Sequence, residues 1–289
     1  SLYDIKYLKG LGTSTKEDAI SYFENKDLHI KEYFCNDSSD AHSVAHSDSP
    51  SDSPLNPSDA PSDAPLKTEN NPENNPKNNP KTMEMFDIAF AKKKIAERKN
   101  WLLNYNEKDV LDYSQPRFSY VDAINKELKH FSTYSYRRAI PNICDGLKTV
   151  QRKIIWHLIQ TKLWNKSKKV AQIKGSVADK ADYHHGENAL SDAIINLAQN
   201  YPGSNNLNLL VPEGQFGSLL MKGEDASADR YIFTRLEPVA RSLFDERDDC
   251  LLQYQLDDNE KPVEPTHYIT TLPLVLVNGV AGIGTGFST

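Results

Sequence analysis

The sequence predicts an α+β protein built around a winged helix-turn-helix. Four observations carry that expectation. Between Lys129 and Lys180, twelve basic residues face only Asp145 and Asp179, a local balance of +10. Apolar Ile154, Ile155, Trp156, Leu158 and Leu163 are interleaved with these charges and give the stretch a core. Two helices follow in order, the earlier one basic: Lys148 to Trp164, then Glu187 to Ala198, introduced by Tyr183-His184-His185-Gly186. Strand-like runs come after them, at Leu207 to Val211, Tyr231 to Thr234 and Tyr268 to Val277. Paired helices followed by β segments are the pattern of that fold.

Taken in chain order, Ile5 to Phe34 reads as a turn at Lys9-Gly10-Leu11-Gly12-Thr13-Ser14 that enters a helix. Ser14 with Glu17 fits a capping box. A glycine-rich loop before a helix can cradle a phosphate, but the full Walker pattern is absent and a capped tight turn is the plainer reading. From Ser47 to Pro80 the chain is a low-complexity repeat: SDSP twice, SDAP twice, ENNP twice and KNNP. With few apolar side chains and a proline every few residues, it is expected to be disordered, a tolerated insertion in a loop. Asp87 to Leu103 is amphipathic, with Ile88, Phe90, Ile95 and Leu102. Tyr120 to Phe131 is the next helix, striped by Val121, Ile124 and Leu128. The helix from Lys148 carries the QRK step on one side and Ile154, Ile155, Leu158 and Ile159 on the other.

The 289 residues are 38% apolar and 26% charged, enough for one or two domains with a buried core. No apolar run approaches the roughly 20 residues of a membrane helix, so a transmembrane protein is excluded. Cys35, Cys144 and Cys250 form no CxxC pair, which argues against zinc or a disulfide framework and for a reducing, intracellular compartment. The opening on Ser1, without an initiator methionine or a signal peptide, reads as an excerpt of something longer. The formal net charge of −6, taken whole, argues against nucleic acid. It is nevertheless a sum of unlike parts, because the repeat contributes −4 while the basic window carries +10. That density points to a phosphate-binding surface.

Candidate sites are weak one by one. His184, His185 and Glu187 lack a convergent further ligand for a metal. Gly282, Gly284 and Gly286 have the wrong spacing for a dinucleotide loop. An Arg230-Tyr231 step alone is common. In order, however, the strings KYLKGLGTSTKEDAISYF, DIAFAKKKIAERKNWL, RRAIPNICDGLKTVQRK, YHHGE, LAQNYPGSNNLNLLVPEGQFGS, DASADRYIFT and LPLVLVNGVAGIGTGF resemble the type IIA DNA topoisomerases. The eukaryotic and large-DNA-virus branch is the nearest in pattern. The resemblance covers the chain apart from residues 36–82.

The resemblance implies a domain plan: the tail of a TOPRIM domain over 1–35, the repeat insertion over 36–82 and a linker helix over 83–112. A winged-helix DNA-binding domain over 113–250 and the start of a β-rich tower over 251–289 would follow. It implies that Tyr231 attacks a DNA phosphodiester and becomes joined to the 5′ phosphate. A phenol is mostly protonated at neutral pH and needs help. By the same resemblance Arg230 and His185 contact the scissile phosphate, Arg152 reaches the phosphate region, Lys153 and Lys148 hold the flanking backbone, and Ile283 wedges between base pairs. The complete enzyme would be a homodimer acting on double-stranded DNA with ATP and Mg²⁺. Both cofactors would be bound mainly by regions absent from this chain, since the TOPRIM acids should precede KGLGTS. Its location would be the nucleus of a eukaryote, or the host cell or virion of a virus. The rival reading is a non-catalytic, architectural winged-helix protein with the tyrosine in its core.

Overall fold

A computed structural model describes residues 14–35, 79–257 and 259–289. The expected turn at Lys9 to Thr13 and the repeat up to Asn78 lie outside the described residues. The described chain divides into two compact units, 14–133 and 134–289.

In the first unit, helix α1 (Lys16–Glu24) begins one residue later than the expected Ser14 cap. Thr15 is the N-cap: its hydroxyl accepts from the Asp18 N–H at 3.2 Å and its own N–H donates to Asp18 Oδ2 at 2.9 Å. A single turn, α2 (Lys26–His29), leads to β1 (Glu32–Phe34). Helix α3 (Pro80–Phe90) starts inside the stretch expected to be disordered. The last repeat copy supplies the start signal, because Asn79 Oδ1 accepts from the Thr82 N–H at 2.9 Å and Pro80 occupies the first helical position. The single helix expected over Asp87 to Leu103 is two. Arg98 from α4 (Ile95–Leu103) donates to the Ile88 carbonyl at 2.8 Å and the Ala91 carbonyl at 2.7 Å, closing the end of α3. Phe90 and Ile95 are therefore exposed, while Trp101 and Leu102 supply the burial.

Strand β2 (Arg117–Ser119) runs parallel to β1, with Tyr33 opposite Phe118. It enters a continuous helical run: α5 (Tyr120–Ala123), a π turn (Ile124–Leu128) and α6 (Lys129–Ala139). The helix expected to end at Phe131 therefore continues to Ala139. The boundary between the units falls within α6.

The second unit is organised by three helices around one core: α7 (Thr149–Gln160), α8 (Val170–Lys180) and α9 (Glu187–Ala198). Ile154, Ile155, Val170, Val177, Leu190 and Ile194 are fully buried. Each such side chain contributes about 1.5–3 kcal/mol by leaving water. Two-residue strands β3 (Lys168–Lys169) and β4 (Phe233–Thr234) pair antiparallel, and bridges at Leu210–Leu236 and Glu213–Phe233 extend the contact. Helix α10 (Pro238–Leu243) and a 3-10 turn (Glu246–Leu251) follow. Next comes the antiparallel pair β5 (Tyr254–Leu256) and β6 (Pro262–Pro265). The strand expected over Tyr268 to Val277 is instead an irregular segment and a helical turn, α11 (Leu274–Val277), set by Pro273. Strands β7 (Ile283–Gly284) and β8 (Phe287–Ser288) close the described chain.

Candidate active site

The Arg230-Tyr231 step lies on a turn sewn to the start of α8. The Tyr231 N–H donates to the Ala228 carbonyl at 2.9 Å, the Ala171 N–H to the Asp229 carbonyl at 3.1 Å and the Val170 N–H to the Ile232 carbonyl at 3.0 Å. Ile232 anchors the turn from behind at 1% exposure, whereas Tyr231 is 66% exposed. Gly214, at φ +114°, makes room for that anchor; a Cβ there would lie 2.9 Å from Ile232 Cγ2. The phenol is thus a solvent-facing group on a fixed backbone and no core residue. The Arg230 guanidinium carbon stands 4.6 Å from the Tyr231 ring centroid, a cation–π contact that places a permanent positive charge beside the ring.

Asp229 extends the anchoring through its side chain. It accepts from Lys174 Nζ of α8 at 2.7 Å and from Ser191 Oγ of α9 at 2.9 Å. These bonds, Lys174's first, hold its carboxyl below the usual carboxylate range, and the same pairing raises Lys174.

His185 sits just before α9. Its Nε2 is hydrogen-bonded to the Tyr134 hydroxyl at 2.5 Å, and the Tyr183 ring meets it edge-on at 5.5 Å. Neighbouring His184 is paired with Asp182. His185 also borders a groove of about 680 Å³ whose lining includes Tyr136, Arg137, Arg138 and Phe287. Arg137 and Arg138 are exposed basic residues of this groove to which no sequence motif assigned a role, although they lie in the basic window. Tyr231 is not among the residues lining it.

Arg152 and Lys153 line the same groove as His185, but their cationic groups are taken up by partners within the fold. Arg152, expected on the solvent side of α7 near a phosphate, has a side chain only 6% exposed. Its Nε and terminal nitrogen donate to Asp145 at 2.7 and 3.0 Å, and the terminal nitrogen also donates to the Leu147 carbonyl at 2.8 Å. Asp145 further accepts the Tyr268 N–H at 2.9 Å, so Arg152 braces two distant segments. Lys153 Nζ donates to the Ala181 carbonyl at 2.6 Å and to Glu264 of β6 at 2.9 Å. Burial pushes the Glu264 carboxyl up, against the pull of Lys153. Both cations are engaged inside the fold. Lys148 caps α7 and remains half-buried, its N–H donating to Gln151 Oε1 at 2.9 Å.

Ile283 is 84% exposed at the start of β7. It is presented by glycines with no room for a side chain: a Cβ on Gly282 would lie 2.4 Å from the Ala139 carbonyl oxygen, and one on Gly284 would lie 2.8 Å from Tyr136 Cα. Among the described residues no three His, Cys, Asp or Glu side chains gather to hold a metal ion. No helix among them is long and apolar enough to cross a membrane.

Comparison with known proteins bears on all of these groups. The family of the A-type subunit of DNA gyrase/topoisomerase IV matches residues 138–289, more than half of the chain. The C-terminal associated domain of TOPRIM matches 1–53 and 67–136. The chain is 43% identical to DNA topoisomerase 2 of Arabidopsis thaliana over 287 residues, covering 99% of this chain and 16% of that protein. It is 40% identical to DNA topoisomerase 2-alpha of Rattus norvegicus, covering 99% of this chain and 17% of that one. The solved DNA-binding, cleavage and re-ligation domain of Plasmodium falciparum topoisomerase II superposes with a TM-score of 0.70 at 38% identity, over 100% of this chain and 34% of that one. The chain thus spans under a fifth of the length of these full-length relatives. On these matches and the ordered motifs, the chain belongs to the type IIA DNA topoisomerases, in the branch of the eukaryotes and large DNA viruses.

Proposed function

We propose that this chain is the strand-breaking and rejoining part of an ATP-dependent type IIA topoisomerase, with Tyr231 as nucleophile. The observation that carries the reading is the exposed phenol on a turn fixed by α8, with the Arg230 guanidinium over its ring. The Tyr231 oxygen attacks the scissile phosphorus in line. The new bond joins the phenol oxygen to the 5′ phosphate, the bond from phosphorus to the 3′ oxygen breaks, and that oxygen leaves with a proton as a 3′ hydroxyl. Because one ester replaces another, the hydroxyl can reverse the step and no strand end is lost to water. Arg230 and His185 offer donors to the non-bridging oxygens as charge develops there. Lys148, with exposed Arg137 and Arg138 of the groove, supports the flanking backbone. Ile283, held out on its glycine hairpin, wedges into the duplex and bends it. Arg152 and Lys153 we assign to the scaffold.

Residues 113–250 are read as a winged-helix domain, its helices and short ribbons lying mainly in the unit from 134 on, and residues 251–289 as the start of a tower. The preceding unit is read as the part associated with TOPRIM. In the complete homodimer, regions outside this chain supply ATP binding and the acids for Mg²⁺, and the protein works inside the cell where its double-stranded DNA lies. The test is Tyr231→Phe in the full-length protein, with covalent complexes trapped by denaturant. The variant is expected to form no adduct while retaining DNA affinity. An undiminished adduct refutes the assignment.

A further inference from the structure

We infer that the Lys174–Asp229 ion pair is a positioning device for Tyr231, setting the angle at which the phenol meets its phosphate and joining that turn to the helix that follows His185. This rests on the reading of Tyr231 as nucleophile. In-line attack needs the reacting oxygen about 3–3.5 Å from phosphorus, and a misplacement of about 1 Å can cost roughly 100-fold in rate. Main-chain bonds fix the turn on the side of α8's first residues, at Val170 and Ala171. The Asp229 side chain fixes it from another direction. It reaches Lys174, one turn further along α8, at 2.7 Å, and Ser191 of α9 at 2.9 Å.

Glu187, on the same face of α9 as Ser191, lies 3.8 Å from the Lys174 ammonium. A single carboxylate therefore clamps three pieces: the turn bearing Arg230 and Tyr231, α8, and the helix that Gly186 leads into directly after His185. The pair is shielded, with side chains 16% and 22% exposed, so it is screened less than a surface pair. Lys174 belongs to the basic window, yet its charge is answered by Asp229 and held away from any phosphate. Its role is geometric.

Single-turnover cleavage of a duplex at saturating DNA should be measured in the full-length protein for Asp229→Asn, Lys174→Met and the exchanged pair Lys174→Asp with Asp229→Lys. The rate of adduct formation should fall about 10- to 100-fold in each single variant. DNA affinity should stay within about twofold, and the thermal midpoint should fall by no more than a few degrees. The exchanged pair should recover most of the rate. A merely structural pair would lower affinity, rate and thermal midpoint together, and that result overturns the proposal. Unchanged rates in the single variants, or an exchanged pair no faster than they are, overturn it equally. Tyr231→Phe in the same assay separates the two claims. An adduct that persists in that variant removes the nucleophile and the positioning role with it, while an adduct lost there but untouched in Asp229→Asn removes only the positioning role.

Discussion

Substituting Asp145 by Asn tests whether Arg152 braces the fold or serves a phosphate. Asp145 is fully buried and its two oxygens are saturated. Oδ2 accepts Arg152 Nε at 2.7 Å and the Tyr268 N–H at 2.9 Å, while Oδ1 accepts the Arg152 terminal nitrogen at 3.0 Å and the Leu147 N–H at 2.9 Å. Asparagine keeps the shape but replaces one oxygen with an amino group, so whichever way the amide turns, two donors face a donor. The guanidinium also loses its counter-charge where its side chain is 6% exposed. Removing one partner of a buried pair costs about 3–5 kcal/mol, against total stabilities of about 5–15 kcal/mol. Native-state hydrogen exchange of the α7 amides reads this directly: protection should fall by a factor of about 100 to several thousand. DNA affinity measured well below the unfolding temperature should change little. A fall in protection under tenfold, accompanied by a large loss of DNA affinity, would refute the scaffold role and return Arg152 to the phosphate.

Three further outcomes are expected. Tyr231→Phe abolishes the covalent adduct and spares binding, as read by denaturant trapping. His157 is buried on α7, and burial first, then Lys168, lowers its pKa below the ordinary 6.5 while Asp179 opposes them. The neutral ring is preferred in the fold, so its contribution is intact above about pH 6.5 and is lost as pH falls through the lowered folded value. Denaturant midpoints measured from pH 7.5 down to 5 should show this decline, and His157→Leu should flatten it; an unchanged slope contradicts the buried neutral ring. Gly284→Ala would put a Cβ 2.8 Å from Tyr136 Cα, main chain that cannot turn aside, so the hairpin must shift at a cost of about 1–3 kcal/mol. Bending of a fluorophore-labelled duplex should fall as it does in Ile283→Ala, and an unaltered bend in both removes the wedge.

Local signals explain which elements could be foreseen. Helix α9 runs over the expected residues because Leu190, Ile194 and Leu197 recur at helical spacing between Gly186 and an extended Gln199. Helix α8 is not foreseen although Val170, Ile173 and Val177 have the same spacing, since Gly175 and four nearby lysines break up the apolar stripe. The run Leu274 to Val277 could be strand or helix on periodicity alone. Pro273 and the close approach of Gly146, where a Cβ would meet the Val275 nitrogen at 2.8 Å, decide for a helical turn. Tyr231 and Ile283, both exposed, are singled out by ordered motifs, which carry information that periodicity lacks. The Lys153–Glu264 pair is not, because Glu264 lies more than a hundred residues along the chain and only the fold brings it in, and Arg152's partner Asp145, though seven residues away, is buried only because the Tyr268 segment folds over it.

Charge counted along a sequence is also not charge available to a ligand. Of the twelve bases in the +10 window, Arg152, Lys153 and Lys174 are answered inside the fold by Asp145, Glu264 and Asp229. Two of those acids lie outside the window, so no local count could have cancelled them. Arg137, Arg138, Lys162, Lys166, Lys168 and Lys169 remain exposed. The basic window thus contains two populations. Engaged cations tie α7 and α8, through Asp145, Glu264 and Asp229, to the segments that carry Tyr268, Glu264 and Tyr231, and the others keep their charge at the surface. On the proposed reading, Lys174 of the first population holds the Tyr231 turn, and the second population would draw a duplex near it by long-range attraction that salt weakens. Net charge −6 is therefore no measure of what a ligand would meet: the acids are spread over other segments, while the exposed cations and Tyr231 share one folded unit.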